Sequence, residues 1–130
     1  MPLNLILAVG KNPALQEGRS SILRRAGYIV DSEYSVKDAV ERFKQGDFDL
    51  VLLCDSMPIE DRDRLTRSIR AFGSLTPIVS VAPPSGRVPQ VVEDVISETT
   101  PEKLLSGVMG ALLKGAAFYR SRDRQWAFYY

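Results

Sequence analysis

Histidine is absent from this chain, and cysteine and tryptophan occur once each, as Cys54 and Trp126. A single thiol excludes an intrachain disulfide, and without histidine there is no Cys/His set of the kind zinc requires. Charge of one sign is missing too. The 17 Lys and Arg residues face 16 Asp and Glu, and a net +1 gives no general pull toward nucleic acid or an anionic membrane. The opening apolar stretch, Leu3 to Val9, is far shorter than a bilayer span and lacks the basic start and small-residue cleavage pattern of a secretory signal. The expectations are a cytoplasmic address, no metal, no cofactor, and neither membrane nor nucleic acid as partner. What is present suffices for one packed domain: 45% of the 130 residues are hydrophobic, so no covalent or metal staple is required.

Short apolar runs alternate with helical periodicity along the chain. Leu5 to Val9, ended by Gly10, reads as a strand covered on both faces. Asn12 as N-cap and Pro13 as first residue open helix 1, with Leu15, Ile22, Leu23 and Ala26 as its apolar face and Gly27 as its stop. Tyr28 to Val30 is a short second strand. Ser35 with Asp38 opens helix 2, which turns Val36, Ala39, Val40 and Phe43 to the core and ends at Gly46. Leu50 to Cys54 is strand 3. Leu65, Ile69 and Phe72 set helix 3, which runs to about Gly73 with the charges from Asp61 to Arg70 on a solvated face. Pro77 to Ala82 is strand 4.

Pro83, Pro84, Gly86 and Pro89 then crowd the span where a fourth crossover helix belongs, so that helix is expected to be shortened or absent. Val95-Ile96 is a short fifth strand. Thr99 with Glu102, framing Pro101, caps a last helix whose stripe is Leu104, Leu105, Val108, Met109, Leu112 and Leu113. Residues 1–117 form the domain. Residues 118–130 extend the last helix or form an aromatic and basic tail, in which Phe118, Tyr119, Arg122 and Trp126 are interaction candidates because aromatics and arginine are enriched at interfaces.

Alternating strands and helices imply an α/β doubly wound sandwich: a parallel five-stranded sheet in the flavodoxin-like (βα)5 order 2-1-3-4-5. Ligands of such sheets sit outside the carboxyl ends of strands 1 and 3, where the strand order reverses. That places Gly10, Lys11 and Asn12 against Cys54, Asp55 and Ser56. Gly10-Lys11 lacks the upstream glycine spacing of a nucleotide-binding loop.

Asp49 to Pro58, Thr76-Pro77-Ile78-Val79, Pro101 to Leu105 and Asn12 to Leu15 together resemble the third strand and loop, fourth strand, last helix and first helix of bacterial response-regulator receiver domains, over roughly residues 3 to 115. The resemblance implies a phosphoacceptor aspartate four residues before the loop proline, and that position is Cys54. It implies two magnesium-holding acids after strand 1, where Gly10 and Lys11 stand. The hydroxyl residue ending strand 4 falls on Ala82, with Ser80 upstream as the alternative. The lysine ending strand 5 falls on Ser97 or Glu98, and the aromatic switch residue on Val95.

Phosphoryl transfer to a protein needs an in-line nucleophile, a magnesium ion and a cation on the equatorial oxygens. An ammonium about 4 Å from a divalent ion costs up to roughly 8 kcal/mol at an effective dielectric near 20, where a carboxylate would gain as much. The chain is therefore expected to be a non-enzymatic pseudo-receiver that cannot take a phosphoryl group and works by contact with a regulatory protein, a second copy of itself being one candidate. The face of strand 4, strand 5 and the last helix is its expected working surface. Three other readings stand beside this one: a thiol switch at Cys54, a residual phosphorelay receiver using Asp55, and a nucleic-acid adaptor acting through the arginine and aromatic tail. Lys11 is expected to pair with Asp55 or Glu98, or else to stand solvated.

Overall fold

The computed structural model describes residues 4–54, 56–81, 94–96 and 100–113. Five parallel strands, β1 (Leu5–Val9), β2 (Ile29–Glu33), β3 (Leu50–Leu53), β4 (Ile78–Val81) and β5 (Asp94–Ile96), form one sheet in the order β2-β1-β3-β4-β5, as expected. Helices α1 (Pro13–Arg25), α2 (Val36–Gln45) and α3 (Ile59–Ala71) connect them, and a last helix, α4, covers 101–113.

Because side chains alternate along a strand, the sheet has two apolar faces. Ile6, Ala8, Leu50, Leu52, Val79 and Val81 pack with Leu23 of α1 and Leu104, Val108 and Ala111 of α4. Leu7, Val9, Val51, Leu53 and Ile78 pack on the other side with Ala39 of α2 and Leu65 and Ile69 of α3. Every residue of β3 and β4 is buried, which is why these strands read as unbroken apolar runs.

Local signals set the helix ends. Asn12 Oδ1 accepts from the Leu15 amide at 3.2 Å with Pro13 behind it, and Ser35 Oγ accepts from the Asp38 amide at 3.1 Å. Gly27 and Gly73 follow α1 and α3 with φ of 102° and 78°, the left-handed conformation that lets a helix stop. Thr100 Oγ1 accepts from the Lys103 amide at 3.3 Å at the start of α4, and the expected cap, Thr99, lies outside the described residues. Strand β2 runs on to Glu33, beyond the expected Val30.

Three apolar faces differ from expectation. The buried residues of α1 are Gln16, Arg19, Ser20 and Leu23, while Leu15 and Ala26 are exposed. Phe72 is exposed at the end of α3, where it stacks on Phe43 at 6.5 Å and receives the Lys44 ammonium 5.0 Å from its ring centroid. Met109 and Leu113 stand outside the α4 stripe at 55% and 66% exposure. The charges of α3 are not all solvated either, since Arg62 is 2% exposed. The shortened fourth helix and the tail fall outside the described residues.

Candidate functional site

The carboxyl ends of β1, β3 and β4 converge where the strand order reverses, and the chain's own side chains fill that space. The path across β1 and β3 is tied by the Cys54 amide, which donates to Val9 O at 2.8 Å. Beyond it, Ser56 Oγ accepts from the amides of Lys11 and Asn12 at 3.0 and 3.2 Å, so the loop after β3 holds down the loop after β1. One hydroxyl therefore satisfies two amides that precede α1, at roughly 0.5–1.5 kcal/mol each.

Gln16 fills the other side. It is 1% exposed, and its Nε2 donates to Ala8 O at 2.8 Å and Glu33 O at 3.2 Å, stapling the ends of β1 and β2. These two acceptors fix the amide's orientation and leave Oε1 buried with no hydrogen-bond partner among the described residues. A Cβ built on Gly10 would lie 2.6 Å from that Oε1, 2.9 Å from Cys54 Cβ and 3.0 Å from Ser56 Oγ. Gly10 is glycine because three neighbours occupy the volume that any side chain there would need.

From the opposite helix, Arg62 reaches under the end of β4. Its Nη1 donates to Ser80 Oγ at 2.9 Å and to Val81 O at 3.0 Å. Ser80 is fully buried, with its hydroxyl oxygen held by this guanidinium. Lys11 has its Nζ 3.4 Å from Asp61 Oδ2 with the lysine side chain about half exposed, and the partners expected for it, Asp55 and Glu98, lie outside the described residues. Such a surface pair is worth roughly 0–1 kcal/mol.

At the rim, burial and the neighbouring carboxylates of Asp38 and Asp31 raise the pKa of Glu33 above its ordinary value, and Arg42 opposes them. Arg42 itself is held on Asp31, with Nη2 2.6 Å from Oδ2.

Of the sequence-named positions, Gly10, Asn12, Cys54 and Ser56 do come together, and Cys54 is a buried thiol at 1% exposure. Asp55, Ala82, Ser97, Glu98, Phe118, Tyr119, Arg122 and Trp126 lie outside the described residues. Hydrophobic periodicity overlooked Gln16 and Arg62. The signal was in the spacing: Gln16, Arg19, Ser20, Leu23 and Arg62, Leu65, Thr66, Ile69 both follow i, i+3, i+4, i+7, the rhythm of a buried helix face.

The described donors do not suit magnesium, which prefers carboxylate and water oxygens in octahedral array. Between β1 and β3 they are an amide oxygen, a hydroxyl already accepting two amides, and a thiol, with no room at Gly10 for an acid.

No family model matches the chain. A two-component response regulator of Oryza sativa subsp. japonica, ORR41, is 40% identical over 58 residues, a match that spans 43% of this chain and 46% of that relative. The chemotaxis response regulator CheY4 of Vibrio cholerae superposes with a TM-score of 0.72 at 20% identity, over 85% of this chain and 99% of that one. The N-terminal domain of a response regulator/sensory box/GGDEF protein of Carboxydothermus hydrogenoformans gives 0.73 at 25% identity, over 89% and 99%. In fold, this chain is a receiver-like domain of the CheY-like, response-regulator kind.

Proposed function

We propose that this receiver-like domain takes no phosphoryl group and signals by protein–protein contact alone. The observation that carries the reading is the space beside Gly10, where an added Cβ would meet Gln16 Oε1 at 2.6 Å. An acid cannot be accommodated there without moving a buried glutamine that staples two strands. Cys54 stands where the acceptor carboxylate would be, and Arg62 occupies Ser80 from within. The domain therefore acts without catalysis, through the face of β4, β5 and α4, on which Met109 offers exposed apolar surface to a regulatory protein.

Acetyl phosphate with magnesium, followed by intact-protein mass spectrometry, tests this directly. The expected result is an unmodified mass under conditions that modify an active receiver in the same tube. A phosphoryl adduct that survives Cys54→Ser and disappears in Asp55→Asn would overturn it in favour of Asp55 as acceptor.

A further inference from the structure

A second concavity lies at the amino ends of the strands, far from the filled site. It measures about 720 Å³ and is lined by Phe43, Phe48, Pro77, Leu112, Leu113 and Asp47, among others. The floor is aromatic: the Phe43 and Phe48 rings stack at 6.2 Å. Gly46 lets Phe48 sit there, since a Cβ on it would come 2.7 Å from the ring. At the rim, Asp47 is exposed and Asp49 is anchored on the Leu5 amide at 2.8 Å.

We propose that this cleft binds the chain's own segment 114–130, packing its aromatic side chains on the Phe43–Phe48 floor and its arginines against the Asp47–Asp49 rim. Three observations select this occupant. First, α4 delivers it: Leu112 and Leu113, the last described residues, line the cleft, so the chain continues from its edge. A dozen extended residues reach about 40 Å, enough to fold back over a domain of this size.

Second, the chemistries match. The segment carries Phe118, Tyr119, Trp126, Phe128, Tyr129 and Tyr130, interleaved with Arg120, Arg122 and Arg124. A cleft of several hundred cubic ångströms with an apolar floor and a few polar groups at its edge is suited to burying more than one such ring. The acidic rim complements the arginines. Third, tethering favours this segment over a second copy, because a short linker holds it at an effective concentration in the millimolar range. Leu113, at 66% exposure, is the apolar contact such packing would cover.

Trp126 is the chain's one tryptophan, so its fluorescence reports on this segment alone. In the full chain, its emission is expected to be blue-shifted relative to the urea-unfolded protein and at least about two-fold less accessible to acrylamide, unchanged on dilution of a monomer by light scattering. Asp47→Lys and Leu113→Asp alter exposed positions, so both should keep the native circular dichroism while moving the emission toward the unfolded value. Native emission equal to that of the unfolded chain would overturn the proposal. So would a blue shift that both variants leave untouched, which places the tryptophan elsewhere. A blue shift lost on dilution as a dimer dissociates would give the cleft to a second copy and reject the intramolecular form.

Discussion

The two ends of the parallel sheet are finished in opposite ways. At the carboxyl ends of β1, β3 and β4, where doubly wound folds bind their ligands, Gln16, Ser56 and Arg62 fill the space and spend their hydrogen bonds on the protein itself. At the amino ends, a cleft of about 720 Å³ stays open among the described residues, under two stacked phenylalanines. The scaffold thus keeps its sheet order and both apolar layers while the described side chains at this end of the sheet bond to the protein itself. Where the side chains close a site, they should matter for stability, and where they leave one open, they should not.

The largest effect is expected at Arg62. Arg62→Ala removes the donors to Ser80 Oγ and Val81 O and leaves a void beneath β4. Stranding buried acceptors costs about 1–3 kcal/mol each, and the lost packing of the arginine stem adds to this. The expected loss is about 3 kcal/mol in urea unfolding, with Arg62→Met recovering part of it by filling the volume. At the other end, Asp47→Lys should cost clearly less than Arg62→Ala, because it touches an exposed rim charge and the docking of 114–130 rather than a buried hydrogen-bond network. Equal losses at the two ends would break the comparison.

Next comes the volume at Gly10. Gly10→Asp forces atoms into the space of Gln16 Oε1 and Cys54 Cβ and is expected to cost about 2 kcal/mol, in the range of overpacked cores. Gln16→Ala makes room but gives up the staple to Ala8 O and Glu33 O. In a double-mutant cycle, the pair should be less destabilised than the sum by about 1 kcal/mol or more. Strict additivity would mean that the two residues do not compete for one volume.

The same contrast explains what could be read from the sequence. Leu50–Leu53 and Ile78–Val81 announced buried parallel strands because nothing polar interrupts them, and Asn12-Pro13 and Ser35 marked helix starts by chemistry that acts within one turn. The departures from the receiver pattern were legible too, since Gly10, Lys11 and Cys54 simply stand in the chain. The filling of the site was not. Gln16 and Arg62 are polar residues on buried helix faces, and hydrophobicity assigns such residues to solvent. The i, i+3, i+4, i+7 spacing marks their faces as buried, but the carbonyls and hydroxyl of β1, β2 and β4 that they bond are distant in sequence, so spacing alone does not name the partners. Lys11 finding Asp61 is likewise a matter of where α3 begins.

The smallest effect sharpens the comparison at the rim of the closed end. Burial first, then the carboxylates of Asp38 and Asp31, raise the folded-state pKa of Glu33 above 4.5, against the pull of Arg42. A carboxyl raised on folding binds more protons in the native than in the unfolded state between the two pKa values, so stability falls as pH rises through that window. The cost is complete at neutral pH and disappears in acid, below the unfolded value. Glu33→Gln is therefore expected to raise the melting temperature slightly at pH 7, with the gain shrinking as pH drops through the carboxylate range. Asp31→Asn is expected to lower the melting temperature at pH 7 instead, because Asp31 is paired with Arg42 at 2.6 Å and its loss frees that cation. A Glu33→Gln gain that is constant across pH would assign the effect to packing, and would remove like-charge crowding from the account of how the closed end is built.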